Sequence, residues 1–359
     1  SRFFTPAART AAMLGRSGGG GATMANEGRI RSWLRALAWT TGIVLVLALG
    51  AWAAFQLSPW PSVWLVRHAF DADARRASAA LEKHVPAGLR EWQDVAYDPA
   101  DPDGRLDLYA PADARGPLTT VVWIHGGGFI SGDKRDVANY ARVLAGQGFA
   151  VASVQYTIAP EARYPTPVLQ ANRSLAFLAG GGHGLPVDPA RLVLAGDSAG
   201  AQVAAQLAAA YADPAYAADI GFEPALPPGR LAGTLLHCGP HDAALVGGEG
   251  PFAGFMRTVF WAYFDLRDVG QDPRLAQFSV PRHVTPAFPP TFISAGNADP
   301  LLPHSLALAD ALEARGVPVT RLFFPDDHEP ALPHEYQFNL DGEAGQRALR
   351  ESVAFLRGL

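Results

Sequence analysis

Short apolar runs alternate with amphipathic stretches along the chain after residue 90. The runs are rich in β-branched and aromatic residues, as buried strands are. They cover residues 92–97, 105–109, 120–124, 150–156, 191–195, 231–238, 291–295 and 319–324. The stretches between them have the periodicity of amphipathic helices. They cover residues 137–147, 168–179, 199–211, 305–315 and 343–357.

This order of elements predicts the fold class. A DPADPDG turn between the first two runs predicts an antiparallel hairpin. The strand–helix alternation that follows predicts an α/β fold with a mostly parallel, doubly wound sheet and helices on both faces. In such sheets ligands bind beyond the carboxyl ends of the strands, so the residues that follow each strand carry the candidate chemistry.

The longest apolar stretch precedes this alternation, at residues 36–57. It carries no charged residue, and at about 1.5 Å per residue it is long enough to cross a bilayer. Residues 1–35 hold six arginines and one acid, a bias that predicts a cytoplasmic N-terminus. We predict a disordered basic leader at 1–35 and a transmembrane signal anchor at 36–57. A cleaved signal peptide, which would make the protein secreted, and a buried core helix are the alternatives.

Length and charge restrict the remaining possibilities. Residues 91–359 have room for one large α/β domain. We predict that residues 58–90 form a linker or cap with an amphipathic helix over 71–84. Residues 240–270 are a possible cap insertion, and their aromatic stretch at 251–268 is either part of that cap or a core helix. The net charge of −5 excludes the usual basic signature of a nucleic-acid partner. A single cysteine, Cys238, forms no intrachain disulfide and no cysteine-based metal site. The sequence does not indicate the oligomeric state.

The strand at 191–195 ends in the sequence GDSAG, residues 196–200. This is a G-x-S-x-G motif between a strand and a helix, the context of a nucleophile elbow. The serine needs a tight turn, and a side chain at either glycine would clash with the neighbouring strand or helix. We therefore predict that Ser198 is a nucleophile. The alternative is a helix cap by Asp197 or Ser198.

The strand at 120–124 ends in His125 and three glycines. Backbone N–H groups can point into a site where no side chain blocks the approach. Together with the N–H of Ala199, they would bind the oxyanion of a tetrahedral intermediate. We interpret His125 as a residue that braces this loop rather than as a base.

A serine nucleophile also needs a base and an acid that orients it, in the order Ser, Asp or Glu, His. Asp299 follows the strand at 291–295 and is the predicted acid. Two histidines, His328 and His334, follow the last strand. Pro330 and Pro333 predict a small extra loop between them. This loop favours His334 as the base, with His328 in reserve.

Together these residues resemble the hormone-sensitive-lipase-like branch of the α/β-hydrolases, a group of serine carboxylesterases. The resemblance rests on HGGGF (125–129), GDSAG (196–200), ADPL (298–301) and HEYQF (334–338). It implies an α/β-hydrolase fold with a small helical cap and an oxyanion hole made by Gly127, Gly128 and Ala199. The family commonly has His-Gly-Phe where this chain has His-Glu-Tyr, and its usual acid-to-histidine spacing falls nearer His328. The N-terminal anchor is similar to that of the membrane-bound arylacetamide-deacetylase type.

The sequence thus predicts a membrane-anchored serine ester hydrolase with an extracytoplasmic catalytic domain. It would act through an acyl-enzyme on small to medium apolar esters, with no metal or organic cofactor. An amide or N-acetyl hydrolase with the same triad is one alternative. A non-catalytic receptor for a small ligand on the same fold is the other, because a fold by itself does not establish catalysis.

Overall fold

The computed structural model describes residues 20–247, 251–267, 270 and 272–359. Its strands form a single eight-stranded sheet with the order β1-β2-β4-β3-β5-β6-β7-β8. The strands are β1 (Leu89–Ala96), β2 (Arg105–Pro111), β3 (Leu118–Ile124), β4 (Ala150–Val154), β5 (Val187–Asp197), β6 (Leu231–His237), β7 (Thr291–Ser294) and β8 (Val319–Leu322).

The helices are placed before the sheet and in the connections between its strands. They are α1 (Gly20–Leu57), α2 (Trp60–Leu81), α3 (Ala138–Ala145), α4 (Thr166–Gly180), α5 (Ala199–Ala212), α6 (Pro214–Ile220), α7 (Pro251–Phe264), α8 (Pro273–Phe278), α9 (Leu302–Ala314) and α10 (Glu343–Gly358). A short 3₁₀ turn, Tyr336–Phe338, precedes α10.

The sheet has the predicted mixed topology. Strand β2 is antiparallel to β1 and to β4, and every later pairing is parallel. Register aligns the ends of the central strands: Ile124 pairs with Gly196, Asp197 with His237, and His237 with Ser294. The loops that follow β3, β5, β6 and β7 therefore leave the sheet side by side, where a doubly wound fold places its ligands.

Both faces of the sheet are covered, which explains why its central strands are almost wholly apolar. Side chains of β3 alternate between the faces. Val121 and Trp123 pack in one cluster with residues of α3 and α10. Val122 and Ile124 pack in the other cluster with residues of α4 and α5. This arrangement confirms the predicted α/β class with helices on both faces.

Helix α1 begins at Gly20, so residues 20–35 of the predicted disordered leader are helical. Once the apolar segment has nucleated a helix, extension through residues such as Ala, Met, Glu and Arg costs little. Residues 1–19 of that leader lie outside the described residues.

The described chain divides into two units, an N-terminal one that ends at Ser58 and a compact one that covers Pro59–Leu359. Within the N-terminal unit, the segment Asn26–Leu57 has a mean hydropathy of 1.8 in its most apolar window, and none of that window is buried. The alternative of a buried core helix is therefore wrong. By length and composition the segment can cross a membrane, and a signal sequence has the same properties.

Helix α2 starts earlier than predicted, at Trp60 directly after Pro59 rather than at residue 71. Its N-terminal turns are apolar, and they are anchored to the second unit by Val63, which is fully buried. Arg67 donates to the backbone carbonyls of Ile130 (2.5 Å) and Ala159 (2.8 Å). Ile130 belongs to the loop at 125–131 that follows β3, here termed the glycine loop. Helix α2 therefore braces that loop.

The short helices α6 and α8 were not among the predicted elements. Both begin at a proline and have an aspartate N-cap, Asp213 and Asp272 respectively. These are recognisable start signals. Each helix has fewer than two full turns, so its apolar periodicity is too short to stand out from the surrounding sequence.

Candidate active site

The serine turn (residues 196–200) connects β5 to α5. Ser198 has φ 51° and ψ −123°, a strained conformation for a residue with a side chain. The turn can be this tight because its flanking residues are glycines. A Cβ at Gly196 would overlap the backbone of Gly200, and a Cβ at Gly200 would overlap the carbonyl oxygens of Ile124 and His125. The Ser198 N–H donates to His237 O (2.9 Å), which fixes the turn to β6.

Three side chains meet above this turn. His334 Nε2 lies 2.9 Å from Ser198 Oγ, and His334 Nδ1 lies 2.9 Å from Asp299 Oδ2. A carboxylate only accepts hydrogen bonds, so Nδ1 carries the proton and Nε2 is free to accept from the serine hydroxyl. The Asp299 side chain is fully buried, and its second oxygen accepts from the Leu301 N–H (2.7 Å). The structure therefore brings the predicted serine, acid and base together in one hydrogen-bonded chain.

The loop between β8 and the 3₁₀ turn (residues 325–335) carries the histidine and is termed the histidine loop. It is tied to the segment that carries Asp299. Asn297 Oδ1 accepts from the Leu332 N–H (2.8 Å), and the Ala298 N–H donates to Leu332 O (3.0 Å). Asn297 Nδ2 donates to His328 O (3.1 Å). These bonds set the path of the chain on both sides of the prolines.

The reserve base, His328, is placed elsewhere in the same loop. Its ring packs on Phe324, with the ring centroids 4.9 Å apart. Within the described part of the chain, no hydrogen bond joins the His328 side chain to Ser198 or Asp299.

The glycine loop places two backbone N–H groups beside the serine turn. Gly127 and Gly128 have φ of +106° and +61°, values that favour glycine. Among the described residues neither N–H donates to another protein atom. The Ala199 N–H lies in the first turn of α5, where helical N–H groups have no intrahelical partner. The three predicted oxyanion donors are thus available to a ligand.

His125 is a buried member of the glycine loop and braces it, as predicted. Its ring stacks on Tyr156 at 4.2 Å, and its Nδ1 contacts Gly126 O at 2.8 Å. Tyr156 Oη in turn donates to His125 O (3.0 Å). Burial lowers the pKa of His125 to about 4, so the ring stays neutral at physiological pH.

The electrostatics of the site centre on His334. Burial lowers the pKa of His334, whereas the hydrogen bond to Asp299 and the Glu335 carboxylate raise it. The net direction is well above the usual value for histidine. Burial raises the pKa of the Cys238 thiol, which keeps that side chain neutral.

Cys238, Asp299 and His334 bring a thiol, a carboxylate and an imidazole within 4.8 Å of one another, a spacing that could hold a metal ion. Both imidazole nitrogens, however, are within hydrogen-bond distance of Ser198 and Asp299. A metal on either nitrogen would replace one of those bonds. We therefore do not assign a metal centre to these side chains.

Comparison with known proteins decides the family. A family model for the α/β-hydrolase fold matches residues 121–329, which include the glycine loop, the serine turn and Asp299. The chain belongs to the α/β-hydrolase-fold family. This confirms the family and the fold predicted from the sequence motifs.

Several relatives of this α/β-hydrolase are named as esterases. It is similar to carboxylesterase NlhH of Mycobacterium tuberculosis, with 29% identity over 280 residues that cover 74% of this chain and 82% of the relative. The esterase LipW of Mycobacterium marinum is 27% identical, with a TM-score of 0.64 and coverage of 82% and 89%. Esterase B of Lactobacillus rhamnosis is 24% identical, with a TM-score of 0.72 and coverage of 84% and 95%, and shows the shared fold.

Two residues of the site were not singled out from the sequence. Trp123, in β3, donates through its indole N–H to Asp197 Oδ1 (2.7 Å). Glu335 lies with its Oε1 3.7 Å from His334 Nε2. Trp123 lies within the apolar run of β3, so the sequence gives no sign that its indole N–H binds Asp197. Glu335 carried a signal, because it stands where the resembled family commonly has glycine.

Proposed function

We propose that this α/β-hydrolase is a serine carboxylic ester hydrolase whose reaction passes through an acyl-enzyme on Ser198. The observation that carries the proposal is the hydrogen-bonded series Ser198–His334–Asp299, beside the N–H groups of Gly127 and Gly128, which have no partner among the described residues. The carboxylesterase and esterase names of its relatives support the same reaction class.

The hydrogen bonds that join Ser198, His334 and Asp299 support the following acylation step. Ser198 Oγ attacks the ester carbonyl while His334 Nε2, 2.9 Å away, takes its proton. Asp299 holds the imidazole in the required tautomer and stabilises the imidazolium that forms. The carbonyl oxygen becomes an oxyanion that accepts from the N–H groups of Gly127, Gly128 and Ala199.

Collapse of the tetrahedral intermediate expels the alcohol. The alcohol oxygen receives the proton from His334 Nε2, and the acyl group remains on Ser198 Oγ. Water then enters and gives its proton to His334, and its oxygen attacks the acyl carbon. A second tetrahedral intermediate releases the acid and restores the serine. Every proton transfer in the cycle uses His334 Nε2.

An apolar substrate is supported by the side chains around the oxyanion donors. A Cβ at Gly128 would lie 3.1 Å from Phe255 Cζ and 3.6 Å from Val259 Cγ2, so helix α7 comes close to this glycine. Phe70 of α2 packs on Phe255 with ring centroids 5.4 Å apart. Helices α2 and α7 thus act as the cap, and small to medium apolar esters are the substrate class.

The apolar helix before the catalytic unit acts as a single-pass anchor, with its N-terminus cytoplasmic and the catalytic unit outside the cytoplasm. Its length and exposed apolar surface support this role, and the arginines on its N-terminal side support the orientation. Alkaline extraction of membranes from expressing cells tests the anchor: the full chain should stay with the lipid. Release of the full chain, or removal of the apolar helix as a cleaved signal peptide, would contradict it.

Hydrolysis of short and medium p-nitrophenyl esters by the full chain in detergent tests the reaction. Ser198→Ala and His334→Ala should each lower kcat by at least about 10³-fold, because each removes a member of the proton-transfer chain. His328→Ala is the matched control and should keep kcat within about twofold of wild type, because its ring lies outside that chain.

The other outcomes separate the alternatives. Loss of turnover in His328→Ala but not in His334→Ala would make His328 the base. A folded wild type that binds esters without hydrolysing them would be a receptor. Faster turnover of matched amides than of esters would make the protein an amide hydrolase.

A further inference from the structure

The residue after the proposed base has an unusual backbone for its type. Glu335 has φ 59° and ψ 30°, in the left-handed region, and it precedes the 3₁₀ turn Tyr336–Phe338. Glycine occupies this region without steric cost, whereas a glutamate there is strained. Strain of this kind persists at sites where the side chain has a task.

The Glu335 carboxyl group lies between the proposed base and a buried acid. Its Oε1 is 3.7 Å from His334 Nε2, and 35% of the side chain is exposed. The same carboxyl is hydrogen-bonded to Asp197, which is 3% exposed. Asp197 also accepts from Trp123 Nε1 (2.7 Å) and from the Gly126 N–H (3.0 Å). The two carboxyl groups meet beside Gly126, where a Cβ would contact oxygens of both.

Two carboxyl groups can share a hydrogen bond only if one of them holds a proton. Burial and the neighbouring Glu335 raise the pKa of Asp197 well above its usual value, so the proton belongs to Asp197. The titratable groups that face the pair from other elements are Tyr140, Tyr156 and Cys238. Burial raises the pKa of all three, so they are neutral. The negative charge of the pair therefore sits on Glu335, the member nearer the imidazole.

We propose that Glu335, anchored by its hydrogen bond to Asp197, is a positioning residue that stabilises the His334 imidazolium from the Nε2 side. Asp299 acts on Nδ1, at the opposite edge of the ring. The inference rests on the proposed function, because the imidazolium forms when Ser198 attacks an ester. It adds a second carboxylate to the proposed triad at a position where the resembled family commonly has glycine.

The first test measures the pKa of His334 directly, by NMR of the full chain labelled at the imidazole Cε1 carbons, with His334→Gln to assign the resonance. Glu335→Gln keeps a hydrogen-bond donor toward Asp197 but moves the charge away from Nε2. We expect the pKa of His334 to fall by about one unit. Asp197→Asn imitates the protonated acid and leaves Glu335 charged, so the pKa of His334 should stay near the wild-type value although the Gly126 contact is lost.

The second test measures kcat/KM for a neutral p-nitrophenyl ester against pH. In Glu335→Gln the acid limb should move to lower pH together with the pKa of His334. Above the limb kcat should fall about tenfold with KM unchanged, because the imidazolium is less stabilised. Glu313→Gln makes the same charge change on α9, where the carboxylate pairs with Arg321, and should change neither quantity.

Glu335→Gly separates a positioning role from a structural one. Glycine removes the backbone strain, so the melting temperature should not fall, yet the pKa of His334 should still decrease. An unchanged pKa of His334 in both Glu335 variants would overturn the proposal, whether or not the esters are hydrolysed. An equal decrease in Asp197→Asn would also overturn it, because the charge would then reside on Asp197. Failure of wild type to hydrolyse esters would refute the proposed function by itself, and the NMR result would still decide the electrostatic role.

Discussion

The serine turn and the histidine loop deliver atoms that lie 2.9 Å apart, yet the two segments are held in place by different means. The serine turn is short and is fixed by steric exclusion, since its glycines leave no room for a Cβ. The histidine loop is longer, contains prolines, and is fixed by hydrogen bonds to the segment around Asn297. The comparison teaches that local contacts can fix the turn of the proposed nucleophile, whereas the position of the proposed base depends on distant parts of the chain.

The largest effect on stability is expected from a substitution that adds a side chain to the serine turn. In Gly200→Ala the new Cβ would overlap the carbonyl oxygens of Ile124 and His125, which the sheet holds in place. We expect the free energy of unfolding to fall by about 3 kcal/mol or more, measured by urea denaturation. Gly180→Ala, at the end of α4 with no atom within 4 Å, is the control and should change it by less than about 1 kcal/mol. Wild-type stability in Gly200→Ala would show that the turn can relax.

The dependence of kcat/KM on pH tests the histidine loop, because this loop carries the proposed base, His334. The net upward shift in the pKa of His334 places the acid limb of kcat/KM above the usual histidine value of 6.5. Below that limb the imidazolium cannot accept the Ser198 proton, so kcat/KM should fall about tenfold per pH unit. Circular dichroism over the same range checks that the fold persists. A flat profile between about pH 5 and pH 8 would contradict His334 as the base.

A smaller effect, on kcat/KM, is expected when the hydrogen bonds that hold the histidine loop are removed. Asn297→Ala removes the bonds to Leu332 and His328, and a misplaced base should lower kcat/KM about tenfold. Asn172→Ala is the matched control, because Asn172 of α4 also ties distant segments together, accepting from Tyr211 Oη of α5 and from the Ala225 N–H. We expect similar losses of stability in the two variants but a loss of rate only in Asn297→Ala. A wild-type kcat/KM in Asn297→Ala would mean that Pro330 and Pro333 are sufficient to hold the histidine loop in place.

The smallest effect is expected just beyond the histidine loop. Tyr336→Phe deletes a buried hydroxyl that lies 2.5 Å from Ser294 Oγ, in the last residue of β7. The free energy of unfolding should fall by about 1 kcal/mol, and kcat should change less than twofold. A tenfold lower kcat would show that the 3₁₀ turn, and not only the Asn297 bonds, determines where the imidazole lies.

The same difference explains what the sequence could predict. The serine turn was predictable because its determinants, a strand, two glycines and a helix, are contiguous. Asp299 was predictable from its place directly after β7. The choice between His334 and His328 rested on two prolines, because the bonds that position the loop come from Asn297, far away in the sequence. Glu335 stood out in the sequence only as a departure from the family pattern, and its role could not be assigned, since its partner Asp197 is brought to it only by the fold.

The early start of α2 has a consequence for how the enzyme could be released from its proposed anchor. Arg67 binds the carbonyl of Ile130 in the glycine loop, and Val63 is fully buried nearby in the sequence. A protease that cuts before Trp60 would shed a complete enzyme into the surroundings. A protease that cuts after Arg67 would shed one whose glycine loop has lost the hydrogen bond from Arg67. Shedding with activity intact is therefore confined to the short connection between Leu57 and Trp60.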